Sequence, residues 1–143
     1  MEIESPTKSF TEITVRGYIL DLYGQVSNAK FMELLEEARW NHFHGLFESG
    51  MFLELGLALL LVKANVNYKM PARLGDVMDI ETYLARLGEK SFTLKQTIYM
   101  RNTSEAVLEA EMTYVVKDLE KERAIPLVGR MRVMIERWEK APL

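Results

Sequence analysis

Residues 13–43, ITVRGYILDLYGQVSNAKFMELLEEARWNHF, decide how the rest of the 143-residue chain is read. From Phe10 to Leu20 residues alternate, with Ile13, Val15 and Ile19 on one face and Thr14, Arg16 and Tyr18 on the other. That pattern predicts a half-buried strand. Asp21-Leu22-Tyr23-Gly24 breaks it, and Ser27 or Asn28 then offers an N-cap side chain. Beyond the cap, Phe31, Leu34, Leu35, Ala38, His42 or Phe43, and Leu46 recur at the helical period. Lys30, Glu33, Glu37, Asn41 and His44 fall mostly opposite. A lone carboxylate, Asp21, therefore stands just before the N-terminus of a long amphipathic helix. This placement suits chemistry on an electrophilic carbonyl, although an isolated Asp at a strand-to-helix junction is more often a plain turn or cap residue.

Working outward, residues 1–8 are polar and are expected to be loosely held. GLFESGMFLELG (45–56) carries three glycines and room for a short second helical turn. Leu57 to Lys69 begins fully apolar and then alternates, which predicts a strand buried on both faces in its first half and on one face in its second. PARLGD (71–76) is a connection. Val77–Leu87 and Ser91–Arg101 alternate cleanly around a hairpin loop at Gly88-Glu89-Lys90, and Ala106–Lys117 is a further strand. Pro126 suits the first turn of a C-terminal helix spanning about 126–139. Strands joined by short connections give an antiparallel sheet. The long helix must bury its stripe against the concave face of that sheet. The expected architecture is α+β: one domain over residues 1–143, its curved sheet wrapped around a central helix.

Composition narrows the function classes. A net charge of -3 argues against a general nucleic-acid binder. The absence of Cys removes disulfides, thiol nucleophiles and Cys-based metal sites. The longest apolar run, Leu57 to Val62, is too short to span a bilayer, and MEIESPTKSF lacks the apolar core of a signal peptide, so a cytoplasmic location is expected. His42 and His44 stand two apart on a helix and face different ways, unlike an i,i+4 metal pair. No metal or cofactor is expected.

Three stretches, in order and in register, resemble hotdog-fold acyl thioesterases of the 4-hydroxybenzoyl-CoA thioesterase type. The first, RGYILDLYGQVSNAKFMELLEEAR (16–39), is similar to the family's strand, Asp-x-x-Gly turn and Glu-x-Ala-Arg helix. The second, VNYKMPARLGD (66–76), resembles its strand running into Pro-x-x-x-Gly-Asp. The third, GEKSFTLKQ (88–96), resembles its hairpin with a Ser-aromatic pair. The wording around LDLYGQVSNA is similar to the branch holding plant plastid acyl-lipid and methylketone-pathway thioesterases and their bacterial relatives. The chain departs from the pattern at Ile19, where many members carry a second acid. It departs again at Gln25, where many carry His, and at Ser27, the first of a paired Asn.

The resemblance implies a hydrolase acting on acyl-CoA or acyl-carrier-protein thioesters, with fatty-acid metabolism as its setting. Asp21 would be nucleophile or general base. Backbone N–H groups around Ser27 to Ala29 would hold the oxyanion, with Asn28 the foremost residue and Gly24 shaping the turn. Lys90 beside Ser91 would contact the phosphates of a CoA or phosphopantetheine arm, as an alternative to lying, like Arg86, Lys95, Arg101 and Arg123, on a solvated sheet face. Phe31, Phe47, Met51 and Phe52 would line an acyl tunnel or simply pack the core. The rival helical acid, Glu36, is expected to bond Arg39 at i,i+3. Members of the family are homodimers or dimers of dimers with the site between subunits, so a homo-oligomer (a homotetramer among the possibilities) is implied, with Asn65 reaching a partner's pocket. Two other readings stand beside the thioesterase: a non-catalytic acyl-binding protein of the same fold, and a hotdog dehydratase or hydratase.

Overall fold

A computed structural model describes residues 1–48 and 50–137. The first strand, β1 (Lys8–Thr14), is followed by a single 3-10 turn (Gly17–Ile19) and the long helix α1 (Asn28–Glu48). A short helix, α2 (Met51–Glu54), leads into β2 (Leu57–Tyr68). Then come β3 (Val77–Leu87), β4 (Ser91–Met100), β5 (Ala106–Asp118), the two-residue β6 (Arg123–Ala124) and α3 (Gly129–Arg137). The sheet order is β1-β3-β4-β5-β2, with every pairing antiparallel and β6 added to β5.

The helix lies in the curl of this sheet, as its periodicity requires. Phe31, Leu35, Ala38 and Phe43 are buried on α1. They meet Ile80 and Leu84 of β3, Leu94 and Ile98 of β4, and Leu108, Met112 and Val116 of β5, all buried in one core. The Gly88–Lys90 hairpin and the short second helix fall where the sequence places them.

Four expectations change. β1 stops at Thr14 rather than Leu20, because Val15 leaves β3: its N–H donates to the Asp76 carbonyl (2.8 Å) and its carbonyl accepts from Gly75 (3.0 Å). The N-terminus is tied rather than loose. Ile3 donates to the Ala85 carbonyl (3.1 Å), Leu87 donates to that of Met1 (2.9 Å), and Glu2 bridges Arg86. The C-terminal helix begins at Gly129, three residues after Pro126, and the rest of its expected span, from Trp138, lies outside the described residues.

The fourth change concerns β2. Among the described residues it pairs only with β5, as an edge strand, and it is not buried on both faces. A bulge between Leu61 and Lys63 explains its composition. One extra residue inverts which side chains face inward. Before the bulge Leu57, Leu59 and Leu61 turn toward the helix, opposite Asp118, Val116 and Tyr114. After it Ala64 and Val66 do, opposite Met112 and Ala110. Leu60 and Val62 are left exposed at 44% and 53%.

Candidate active site

The turn carrying Asp21 is closed as a miniature hairpin. Leu20 bridges Val26, the Asp21 N–H donates to the Gln25 carbonyl (2.7 Å), and the Gly24 N–H donates to the Asp21 carbonyl (3.1 Å). Oδ1 of Asp21 accepts two further bonds, from Tyr23 N–H (2.8 Å) and Gln25 N–H (3.1 Å). Gly24 has φ of 73°, the left-handed region that a Cβ disfavours. Asp21 is thus a turn residue through one oxygen. The other, Oδ2, has no hydrogen-bond partner among the described residues, and the side chain is exposed. The second motif stretch forms the floor of this turn. Val26 N–H donates to the Ala72 carbonyl (2.9 Å), Gln25 bridges Arg73, and Arg73 N–H donates to Asp76 Oδ2 (2.8 Å).

The helix begins directly after. Ser27, not Asn28, is the cap: its Oγ accepts from Lys30 N–H (3.1 Å) and its carbonyl from Phe31 N–H (2.9 Å). Asn28 and Ala29 are the first two helical residues, both exposed. Their N–H groups are the orphan donors of a helix start, at its positive end. Tyr18, Leu22, Tyr23 and Leu74 stand exposed around this end of the molecule.

A cavity of about 630 Å³ opens beside the helix. It starts at Met32, roughly 6 Å along the axis from Asn28 at 1.5 Å per residue. Trp40 and Phe43 of α1, Phe52 of α2 and Leu57 and Leu61 of β2 line it. Phe31 does not; it is 4% exposed, packed beneath the helix with its ring 6.0 Å from Tyr68. The side chains of Phe47 and Met51 are outside the described ones.

Buried polar groups form the cavity's inner edge. Arg39 is 5% exposed, donating from Nε to the Tyr114 hydroxyl (2.6 Å) and from Nη1 to Gln96 Oε1 (3.1 Å). It makes these bonds instead of the i,i+3 pair with Glu36, because Arg39 turns toward the sheet while Glu36 stays exposed. Gln96 Nε2 donates in turn to the Leu35 carbonyl (3.1 Å) and to Thr82 Oγ1 (3.1 Å). Burial pushes the Tyr114 phenol above its ordinary pKa, against the pull of Arg39, so it stays protonated. Sequence reasoning passed over Gln96, Thr82 and Tyr114. A signal existed: Gln96 interrupts Phe92, Leu94 and Ile98, and Thr82 interrupts Ile80 and Leu84, on faces that are otherwise apolar.

The remaining site residues are not gathered at Asp21 within one chain. Lys90 and Ser91 sit in the β3–β4 hairpin, while Asp21 lies near the start of β3. The eleven residues of β3 run between them, a contour of roughly 34 Å at 3.4 Å per step. Asn65 faces the outer side of the sheet, in register with Glu111, which pairs in turn with Lys95. Asn65 therefore points away from the helix. The bulge set that direction. His42 is buried against Ser9 Oγ, and desolvation lowers its pKa to about 4, so the ring is neutral; His44 is exposed. Among the described residues no cluster of His, Asp and Glu is arranged to hold a metal ion, and no helix is long and apolar enough to cross a membrane.

Comparison with known proteins agrees with the fold. A family profile described as the thioesterase-like superfamily matches residues 15–134. The long-chain acyl-CoA thioesterase FadM of Escherichia coli K12 is 39% identical over 133 residues, covering 91% of this chain and 98% of FadM. The crystal structure of YbaW from Escherichia coli superposes with a TM-score of 0.83 at 37% identity, over 89% of this chain and 96% of that one. Slr0204 of Synechocystis, a 1,4-dihydroxy-2-naphthoyl-CoA thioesterase, shares the fold at a TM-score of 0.78 and 20% identity, over 90% and 96% of the two chains.

Proposed function

The chain belongs to the thioesterase-like superfamily and has its hotdog fold, and from this we propose that it hydrolyses acyl thioesters of coenzyme A or acyl carrier protein. The observation that carries the reading is the placement, at one end of the molecule, of a carboxylate oxygen and two helical N–H groups that have no hydrogen-bond partner among the described residues. In this reading Asp21 Oδ2 attacks the thioester carbonyl carbon, or takes a proton from a water that attacks it. Negative charge then develops on the carbonyl oxygen, where the Asn28 and Ala29 N–H groups stabilise it. Collapse breaks the C–S bond and expels the thiolate, which takes up a proton. When water has attacked, this leaves the free acid; when Asp21 has attacked, it leaves a mixed anhydride that water then cleaves to the free acid and the Asp21 carboxylate. Gly24 permits the turn that holds Oδ1 still while Oδ2 faces the substrate.

A long, largely apolar cavity beginning one turn beyond those N–H groups favours a long acyl chain, and FadM, by its description, acts on long-chain acyl-CoA. The unpaired edge of β2, with Leu60, Val62 and Tyr68 exposed, favours a second copy of this chain as partner. Edge-to-edge pairing about a two-fold axis runs the two β2 strands antiparallel. It would carry one subunit's Lys90 hairpin toward the other's helix N-terminus, giving Lys90 and Ser91 their place on the phosphate arm. Phe31 then supports the helix from below rather than touching the chain, and Asn65 stays on the outer face opposite Glu111.

The test is thiol release from a panel of acyl-CoAs and acyl-carrier proteins of graded chain length, with binding measured in parallel. Turnover rising with chain length supports the proposal. Binding of acyl chains without release of thiol from any member of the panel supports a non-catalytic binder instead, the reading that Ile19 favours, since it is buried and apolar where many relatives carry a second acid.

A further inference from the structure

The inner edge of the acyl cavity is charged, and its donors exceed its acceptors. Arg39 carries five N–H donors. Among the described residues two of these are engaged, by Tyr114 and Gln96, and no carboxylate lies within 4.0 Å of the guanidinium. The Nη2 pair donates to no described residue. Tyr114, 8% exposed, accepts from Arg39 and gives its own hydroxyl proton to no described residue. Both side chains line the cavity, and the two acids that also line it, Glu33 and Glu36, belong to the exposed side of α1. Nη2 is not among the described side-chain atoms that are fully buried without a partner, so water in the cavity still reaches it. An occupant that displaces that water without replacing it leaves the guanidinium short of acceptors, which is costly. An apolar occupant would leave it so. An occupant bringing an oxygen would not.

We propose that Arg39 and Tyr114 select acyl thioesters whose chain carries an oxygen acceptor, a hydroxyl or a carboxylate, far from the thioester. The position follows from the helix. Arg39 is eleven residues beyond Asn28, which places its Cα roughly 16 Å along the axis from the oxyanion donors. That distance excludes an oxygen on the carbons next to the thioester and points to the distal end of a long chain, as in ω-hydroxy and ω-carboxy acyl groups. Gln96 is the positioning residue: fixed at its own amide by the Leu35 carbonyl and Thr82, it holds Nη1 and leaves Nη2 without a partner among the described residues. A hydroxyl is the better match where Glu36 stays near, since it accepts from Arg39 and donates to that carboxylate. A carboxylate is the better match where Glu36 swings into solvent.

This proposal rests on the thioesterase reading and deepens it. Its test compares kcat/KM of the wild-type protein for palmitoyl-CoA, ω-hydroxypalmitoyl-CoA and the mono-CoA thioester of the matching ω-dicarboxylic acid, with the lauroyl set alongside. At least one oxygenated substrate should exceed its unsubstituted parent by about tenfold to a hundredfold, the range for a hydrogen bond to a buried charged group. Arg39→Met should bring that ratio close to one, and Tyr114→Phe, which keeps the ring, should lower it part of the way. Equal or lower kcat/KM for both oxygenated chains in the wild type overturns the proposal and leaves the thioesterase reading intact. Should no thioester be turned over, calorimetric binding of palmitate against ω-hydroxypalmitate and the dicarboxylate decides the same point. A wild-type preference for plain palmitate there overturns it as well.

Discussion

Replacing Gln96 with Leu tests the buried polar network that links the core to the cavity. Gln96 is 0% exposed and makes three side-chain hydrogen bonds, each 3.1 Å. Leu fills about the same space, so the cost is polar rather than a void. Arg39 would lose one of its two acceptors, worth about 1.5 to 3 kcal/mol for a charged group, and the buried Thr82 hydroxyl would lose a partner for roughly 1 kcal/mol more. The Leu35 carbonyl keeps its helical bond. The expected loss is about 3 kcal/mol, a large part of the 5 to 15 kcal/mol that holds a typical domain together. Urea unfolding at one fixed protein concentration reads it as a lower midpoint at unchanged slope. The double variant Arg39→Met with Gln96→Leu removes the charge together with its acceptor, so it should recover about 1 to 3 kcal/mol relative to the summed single effects. A single-variant loss under about 0.5 kcal/mol, or strict additivity in the cycle, would refute the network.

Two further outcomes follow from local geometry. Asn28→Pro sits at the first helical position, which tolerates proline, and deletes one of the two orphan N–H groups. Thermal stability should change little while kcat falls on the order of 10² to 10³, and unchanged kcat would take that N–H out of the oxyanion site. His42 is neutral in the fold with its pKa lowered to about 4, against 6.5 ordinarily. The unfolded chain binds the proton first, so this contribution is full above pH 6.5 and is lost as pH falls toward 4, a difference of about 3 kcal/mol. In His42→Asn, stability measured across that window should fall less steeply than in the wild type; parallel curves would contradict the assignment.

Much of the fold is legible because its periods are clean. The 3.6-residue stripe of α1 and the alternation of β3 and β5 bury what they advertise, while β4 buries its apolar face and also Thr93 and Thr97 on the other. The turn at Asp21 is legible too, since Asp, Gly24 and the Ser27 cap each carry a local backbone preference. What misleads is where a tertiary neighbour, not the local pattern, decides. Val15 to Ile19 alternate like a strand, but the Gly75–Asp76 corner takes Val15 out of the ladder. Leu57 to Val62 look doubly buried, yet a bulge on an edge strand divides the same residues between the helix side and solvent. Arg39 matches Glu36 in spacing, but the charge lies on the helix's sheet-facing side, where Gln96 and Tyr114 are the available partners. The distance from Lys90 to Asp21 is a property of sheet topology that no local motif contains.

Asp21 carries the central claim, and Asp21→Asn isolates it. The amide keeps an oxygen to accept from the Tyr23 and Gln25 N–H groups, so the turn should survive and the unfolding midpoint should stay near that of the wild type. It removes the carboxylate that attacks or deprotonates, a role worth on the order of 10² to 10⁴ in rate. Hydrolysis of the best acyl-CoA in the panel should therefore fall by at least about a hundredfold in kcat, with a folded protein that still binds the substrate. Undiminished kcat in the folded variant would contradict the account.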